Sequence, residues 1–69
     1  MTLSARNRLS GTVTSIATGE VAAEVVVELD DGQTVTATIT RGSVERLGLA
    51  EGDAVDAVIK ASDVLIDAD

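Results

Sequence analysis

Two adjacent stretches alternate apolar and polar residues with a period of two, and this pattern constrains the fold more than any other feature. Residues 20–30 set Val, Ala and Leu on one face against Glu and Asp on the other, and residues 33–40 set Val, Ala and Ile against four threonines. Such alternation is typical of half-buried β-strands. Between them, Asp30-Asp31-Gly32 predicts a tight hairpin turn in which glycine can take a positive φ.

Three further segments carry strand-like patterns of apolar residues. They are residues 8–17, residues 53–60 and a short last segment, residues 63–67. Residues 41–47 form the helix candidate, because Thr40 suits the N-cap and Gly48 suits the left-handed position that ends a helix. The predicted order is three strands, one short helix and two strands.

This order predicts an all-β fold, a five-stranded OB-like barrel with one short helix between strands 3 and 4. An SH3-like barrel uses its strands similarly and stays open as an alternative. The 69 residues contain no linker, low-complexity tract or internal repeat, so we expect residues 1–69 to form a single domain.

The small size of the chain favours assembly with other copies. A domain of this length buries only about 60% of its unfolded surface, and without cysteine or histidine it has no disulfide, thiolate or imidazole site to stabilise it. Four apolar residues stand out of phase with the predicted core positions: Ile16, Val26, Val58 and Leu65. They indicate a subunit interface, with irregular barrel geometry and bulges as the alternative.

Charge and composition exclude several classes of function. Twelve acidic and five basic residues give a net charge of −7, and there are no aromatic rings, which argues against nucleic-acid binding. No apolar run reaches transmembrane length and the N-terminus lacks a signal-like stretch, so we expect a cytoplasmic protein that does not bind membranes. No nucleophile–base pair and no ligand set for a bare metal cation is visible, so we expect no enzyme activity.

Polar clusters at the two ends of the sequence each hold one cation and short hydrogen-bond donors. Their members are Ser4, Arg6 and Asn7 at one end and Lys60, Ala61 and Ser62 at the other. Hydroxyl, guanidinium, amide, ammonium and backbone N–H groups suit a tetrahedral oxyanion such as molybdate, tungstate or sulfate. Alternatively, Arg6 and Lys60 are surface cations that relieve acidic repulsion.

An ordered series of short segments, from about residue 3 to residue 66, resembles the molbindin or Mop domain family. The segments are Ser4-Ala5-Arg6-Asn7 with Leu9 and Gly11, Ala23-Glu24-Val25, Ile39-Thr40 with Ser43-Val44, Leu47-Gly48-Leu49, Glu51-Gly52, and Ala57-Val58-Ile59-Lys60-Ala61-Ser62. Each segment alone is a weak signal, whereas the ordered set is specific.

The resemblance implies an OB-like fold assembled as a hexamer, a trimer of dimers, that stores molybdate in the cytoplasm and also accepts tungstate. It implies one class of site between subunits, with the Ser-Ala-Arg-Asn segment of one chain facing the Lys-Ala-Ser segment of another. The residues that match are Ser4, Arg6, Asn7, Lys60, Ala61 and Ser62, with further donors at Thr40 and Ser43.

The resemblance also implies a second class of site near a threefold axis, lined by backbone of the turn after the first strand. The matching residues are Gly19, Glu20, Val21 and Ala22. The family often has Asn where this chain has Ala22, so a side-chain amide donor is replaced by a methyl group. A different class of function stays open beside anion binding: a structural or protein-interaction module whose polar clusters only cap strands.

Overall fold

The computed structural model describes residues 6–68 of the chain. In chain order its elements are β1 (Asn7–Thr18), β2 (Ala22–Leu29), β3 (Thr34–Thr40), α1 (Arg41–Leu47), β4 (Ala54–Ile59) and a 3-10 turn (Ala61–Asp63). The mostly β class, the hairpin and the position of the helix are as the sequence predicts.

The four strands form one curled antiparallel sheet in the order β3-β2-β1-β4. The long strand β1 organises it, because its first half pairs with β4 and its second half pairs with β2. Gly11 belongs to both ladders, opposite Leu29 on one side and Val55 on the other. A Cβ atom at Gly11 would overlap the carbonyl oxygen of Glu28, so the strands can approach this closely only at glycine.

The core lies on the concave face of the sheet and is small. Its buried side chains are Val13, Ala23, Val25 and Val27. Half-buried apolar residues extend it: Ile16, Leu29, Ile39, Val44, Leu49 and Val55. The alternation predicted for β2 is confirmed from Ala23 onward, whereas Val21 precedes the strand and is 78% exposed.

The helix begins and ends where its sequence signals predict. The Thr40 hydroxyl accepts a hydrogen bond from the Ser43 backbone N–H at 3.0 Å, and Gly48 ends the helix with φ 63°. Val44 packs against the core, whereas Leu47, three residues further along the helix, is 69% exposed. None of the helices formed within residues 6–68 has the length and apolar character needed to cross a bilayer.

The predicted fifth strand, residues 63–67, is wrong for the single chain. The Asp63 N–H donates to the Lys60 carbonyl at 2.9 Å and closes a 3-10 turn, after which the chain pairs with no strand among the described residues. Leu65 and Ile66 are 92% and 88% exposed. An alternating sequence is extended, but it becomes a strand only where a neighbouring edge takes up its hydrogen bonds.

The four out-of-phase apolar residues fall into two groups. Ile16 packs against the core because the register of β1 shifts between Val13 and Ser15, which is the bulge that the sequence left open as an alternative. Val26 is half-buried, while Val58 and Leu65 are 46% and 92% exposed. An unexplained apolar surface therefore remains at the last strand and beyond it.

Candidate functional site

The two terminal clusters of the sequence meet at one end of the sheet. Asn7 is the first residue of β1 and lies opposite Ile59, the last residue of β4. The Asn7 side-chain amide donates to the Ile59 carbonyl at 3.2 Å and ties the two strand ends together. Ser4 lies outside the described residues, so its predicted place in this cluster stays a prediction.

Arg6 and Lys60 lie at the same end of the sheet. Arg6 directly precedes Asn7 and Lys60 directly follows Ile59, the last pair of the β1–β4 ladder, and both residues are exposed. Two cations on adjoining strand ends repel one another, so an anion beside them is favoured over an empty site. The pairing brings the two segments to one end of a single chain, whereas the family resemblance implies a site that takes the two cations from different chains.

The turn that follows Lys60 adds further donors. In the 3-10 turn, the N–H groups of Asp63 and Val64 bind the carbonyls of Lys60 and Ala61. The first N–H groups of such a turn, at Ala61 and Ser62, have no acceptor within it. Both residues are exposed. The turn therefore offers two backbone donors and a hydroxyl beside the cation pair.

Another arginine and a carboxylate, which sequence reasoning missed, border this cluster. Arg8 Nη2 donates to Asp56 Oδ2 at 3.0 Å, and Ser10 Oγ donates to Asp56 Oδ1 at 3.1 Å. Arg8 is thereby neutralised by a cross-strand partner, which leaves the positive charge at the strand end to Arg6 and Lys60. The alternation of β4 predicts that Asp56 lies on the polar face of the strand. Its pairing with Arg8, however, depends on the register between β1 and β4.

Thr40 and Ser43, predicted as further donors, lie at the other end of the molecule. Thr40 pairs with Ala22 and so lies near the end of β1, since the neighbouring Ala23 pairs with Thr18. The 12 residues of β1 separate that end from Asn7, about 36 Å along the strand at ~3.3 Å per residue. One chain therefore does not bring Thr40 and Ser43 to the Arg6–Lys60 cluster.

The hydroxyls at the start of α1 are also engaged with one another. Thr40 Oγ1 donates to Ser43 Oγ at 2.8 Å, and Arg46 Nη2 donates to the same Ser43 Oγ at 3.1 Å. Arg46 was not among the predicted site residues, although its position one turn after Ser43 on a helix places it within reach. The group holds one cation and two hydroxyls on the surface.

The turn between β1 and β2 is the predicted second site, and part of its donor capacity is used internally. The Gly19 N–H donates to the Ala22 carbonyl at 2.8 Å, and the Val21 carbonyl accepts from the Arg41 N–H at 2.8 Å. All four residues of the turn are exposed. Glu20 adds a carboxylate and Ala22 adds no donor, so this turn is less suited to an anion than the β1–β4 end.

Comparison with known proteins assigns the chain to a family. Residues 3–66 match the TOBE domain family model. The chain is 48% identical over 66 residues to molybdenum-pterin-binding protein 3 of Clostridium pasteurianum, an alignment that covers 96% of this chain and 97% of that protein.

Two solved structures share the fold. MopII of Clostridium pasteurianum superposes with a TM-score of 0.90 at 46% identity, covering 97% of this chain and all of that one. The cytoplasmic molybdate-binding protein ModG superposes with a TM-score of 0.87 at 49% identity, covering 94% of this chain and 46% of ModG. The chain belongs to the TOBE domain family, and its relatives are the Mop-type molybdenum-pterin-binding proteins, as the resemblance of its segments predicts.

Proposed function

We propose that this protein binds molybdate, and also tungstate, at the end of the sheet where β1 and β4 meet. The observation that carries the proposal is the pairing of Asn7 with Ile59, which brings the adjoining Arg6 and Lys60 and the turn Ala61–Asp63 to one end of the sheet. The names of its relatives support the same ligand, since they describe molybdenum-pterin-binding and molybdate-binding proteins.

The chemistry of the cluster favours a fully deprotonated oxyanion. Guanidinium, ammonium and backbone N–H groups are donors, and molybdate or tungstate presents acceptor oxygens in every direction. Hydrogenphosphate carries a proton that needs an acceptor, and the two cations and the backbone N–H groups of the cluster cannot accept it, which leaves only weak neutral acceptors such as the Ser62 hydroxyl and the Asn7 amide oxygen. We therefore expect selection against phosphate, whereas sulfate is harder to exclude because it also seeks donors and differs from molybdate mainly in size.

We further propose that the complete site lies between two copies of the chain. Thr40 and Ser43 stand at the far end of β1 from Arg6, so a site that uses both groups needs hydroxyls from a second copy. The small core and the exposed Val58 and Leu65 support a homo-oligomer, and we propose the hexamer that the family resemblance implies. Sedimentation of a stable monomer at micromolar concentration would contradict this part of the proposal.

The biological role that fits such a protein is storage and buffering of molybdate in the cytoplasm, without catalysis. Binding and assembly are linked in that case, because a site shared between copies is complete only in the oligomer. The surrounding acids do not prevent binding, since exposed charges are screened over about 8 Å at physiological salt and the donors act at contact distance.

Calorimetric titration with molybdate, tungstate, sulfate and phosphate tests the ligand. The proposal expects heat with molybdate and tungstate and much weaker binding of phosphate at neutral pH. Comparable affinities for phosphate and molybdate would contradict the donor chemistry. Absence of heat with all four anions would instead favour a structural or protein-interaction module.

Mixing variants tests which residues share a chain. If Arg6 and Lys60 of one chain act together, co-refolded Arg6→Ala and Lys60→Ala chains regain no sites, because every chain lacks one of the two cations. Co-refolded Arg6→Ala and Ser43→Ala chains regain some sites, because a hybrid interface joins intact cations to an intact hydroxyl. Recovery in the first mixture would show that the two cations come from different chains, as the family resemblance implies.

A further inference from the structure

Arg46 reaches back along α1 and donates to a hydroxyl of the preceding turn. Its Nη2 lies 3.1 Å from Ser43 Oγ. Its Nη1 lies 3.5 Å from the place where a Cβ atom at Gly42 would stand, so the guanidinium covers a position that has no side chain. Side chains on a helix lean toward its N-terminus, which brings a residue within reach of the one three positions earlier. The contact is therefore local to α1 and forms within a single chain.

The two arginines of α1 differ in the kind of partner they bind. Within residues 6–68 the ion pairs join Arg8 to Asp56 and Arg41 to Glu45. Arg41 Nε donates to the Glu45 carboxylate at 3.2 Å, which offsets its charge. Arg46 instead donates to a neutral hydroxyl and keeps its full positive charge. Its effect on the hydroxyl is therefore the effect to examine.

The hydrogen bonds around Ser43 Oγ leave it no open lone pair. A hydroxyl has one hydrogen and two lone pairs. Thr40 Oγ1 donates to Ser43 Oγ at 2.8 Å, and Arg46 donates to the same oxygen. Thr40 Oγ1 in turn accepts from the Ser43 backbone N–H at 3.0 Å. The hydrogen of the Ser43 hydroxyl is left to point at a ligand, so this hydroxyl acts only as a donor.

The same count holds if the hydrogen bond between the two hydroxyls is reversed. Ser43 then donates to Thr40 Oγ1, whose lone pairs are both filled, and the Thr40 hydrogen points outward instead. In either arrangement the pair of hydroxyls offers one outward hydrogen. The guanidinium of Arg46 fills a lone pair that would otherwise be open to a ligand. Arg46 therefore removes an acceptor from the pair and leaves its donor in place.

We propose that Arg46 determines the selectivity of the oxyanion site against anions that carry a proton. This inference rests on the proposed function, in which Thr40 and Ser43 donate to the anion. A fully deprotonated dianion needs donors only, whereas hydrogenphosphate presents a proton that needs an acceptor. By filling a lone pair, Arg46 makes this part of the site favour molybdate, tungstate and sulfate over phosphate.

The charge of Arg46 strengthens the donor that remains. Hydrogen bonds arranged in a chain polarise one another, so a hydroxyl that accepts from a guanidinium donates more strongly to the next group. Arg46 acts on the anion through Ser43 and is in this sense a positioning residue. A cation that only attracted anions would raise the affinity for every dianion to a similar extent. The ratio of the molybdate and phosphate affinities therefore separates the two roles.

Calorimetry at neutral pH on the wild type and two variants tests the proposal, with phosphate measured by competition against molybdate. Arg46→Met removes the donor and should lower the molybdate-to-phosphate affinity ratio about two- to tenfold, the contribution of one neutral hydrogen bond. The sulfate-to-phosphate ratio should fall equally, because sulfate is also fully deprotonated. Arg46→Lys keeps a charged donor and should restore both ratios. The exposure of Arg46 lets both variants keep the wild-type circular dichroism spectrum.

The matched control is Arg41→Met, which removes an arginine of the same helix whose partner is Glu45. It changes the net charge by the same unit and should leave both ratios unchanged. The inference is overturned, while the proposed function stands, if the wild type prefers molybdate and Arg46→Met keeps that preference. It is also overturned if Arg41→Met lowers the ratios equally or if Arg46→Lys behaves like Arg46→Met. A wild type that binds none of the anions overturns the proposed function and this inference together.

Discussion

The two ends of β1 carry similar kinds of polar residue but differ in what those residues are free to bind. At the first end, Arg6 and Lys60 adjoin the Asn7–Ile59 pair, and Arg8 nearby is neutralised by Asp56. At the second end, the hydroxyls of Thr40 and Ser43 bond to each other. The second end also holds the turn with Glu20. On a single chain the first end therefore presents two cations without a carboxylate partner among the described contacts. At the second end the cation Arg46 and the two hydroxyls are engaged with one another, so these hydroxyls need cations from elsewhere to form an anion site.

The largest expected effect comes from the middle of β1, which holds both ends in place. Gly11→Ala would set a methyl group against the Glu28 carbonyl oxygen, a backbone atom that cannot move aside without breaking the ladder. Overpacking of this kind costs about 1–3 kcal/mol or more, and a domain this small has little stability to lose. Chemical denaturation should show a large decrease in the free energy of unfolding. Anion binding at both ends of β1 should weaken together.

A control for Gly11→Ala is Gly42→Ala, where the nearest atom to the added methyl group is the flexible Arg46 guanidinium at 3.5 Å. This variant should unfold close to the wild-type midpoint or above it, because alanine is a better helix former than glycine. Equal stability of the two variants would show that the close approach of strands at Gly11 does not matter.

The next largest effect is expected from removing either cation at the first end of β1, which leaves the second end unchanged. Arg6→Ala and Lys60→Ala should each weaken molybdate binding by about ten- to a hundredfold, since a hydrogen bond to a charged group contributes roughly 1.5–3 kcal/mol. Both variants should keep the wild-type circular dichroism spectrum, because both side chains are exposed. Calorimetry gives the affinities.

The control is Ala50→Glu, which changes the net charge by the same single unit at an exposed loop position away from the strand ends. It should leave molybdate affinity nearly unchanged because distant surface charges are screened. If Ala50→Glu weakened molybdate affinity as much as Arg6→Ala does, the overall charge of the protein, rather than a local site, would govern binding.

A smaller effect is expected at the second end, where the turn lacks a side-chain donor and carries a carboxylate. Ala22→Asn adds an amide and Glu20→Gln removes the repelling charge, so the double variant should gain anion binding sites or bind weakly held anions more tightly. The gain in the free energy of anion binding should be close to the contribution of one neutral hydrogen bond, about 0.5–1.5 kcal/mol. Stoichiometry from calorimetry checks it, and an unchanged stoichiometry and affinity would argue against any anion site at this turn.

The smallest effect is expected in the hairpin, which serves as a reference region distant from both clusters. The pKa of Asp31 lies below its ordinary value of 3.8, because the Gln33 side chain and backbone N–H donate hydrogen bonds to its carboxylate. Since the folded-state pKa is lowered, the stabilising contribution is full at a pH above 3.8 and is lost as the pH falls through the folded value.

Gln33→Ala removes the larger of these hydrogen bonds, so it should lower thermal stability slightly at pH 6 and by less at pH 3. Melting curves at the two pH values measure the difference. A destabilisation that grows on acidification would contradict the assigned cause. Molybdate affinity should not change in this variant, which makes it a test that the hairpin and the sites are independent.

Local features of the structure could be predicted because their causes lie within a few residues of each other. The alternation of Ala23, Val25 and Val27 determines the buried face of β2, and the Asp30-Asp31-Gly32 turn fixes the hairpin that follows. Thr40 and Gly48 likewise determine both ends of α1. The sequence also identified the types of donor that suit an oxyanion, since side-chain chemistry does not depend on the fold.

Tertiary structure alone decided which of these residues become neighbours and which remain without a partner. The pairing of β1 with β4 brings the segments that carry Arg6 and Lys60 to one end of the sheet, and the bulge after Val13 turns Ile16 toward the core. Residues 63–67 have a strand's pattern but pair with no strand within residues 6–68. Pairing between segments far apart in sequence depends on register and on the available edges. The pattern of any one segment shows that it can be a strand, but not which strand it meets.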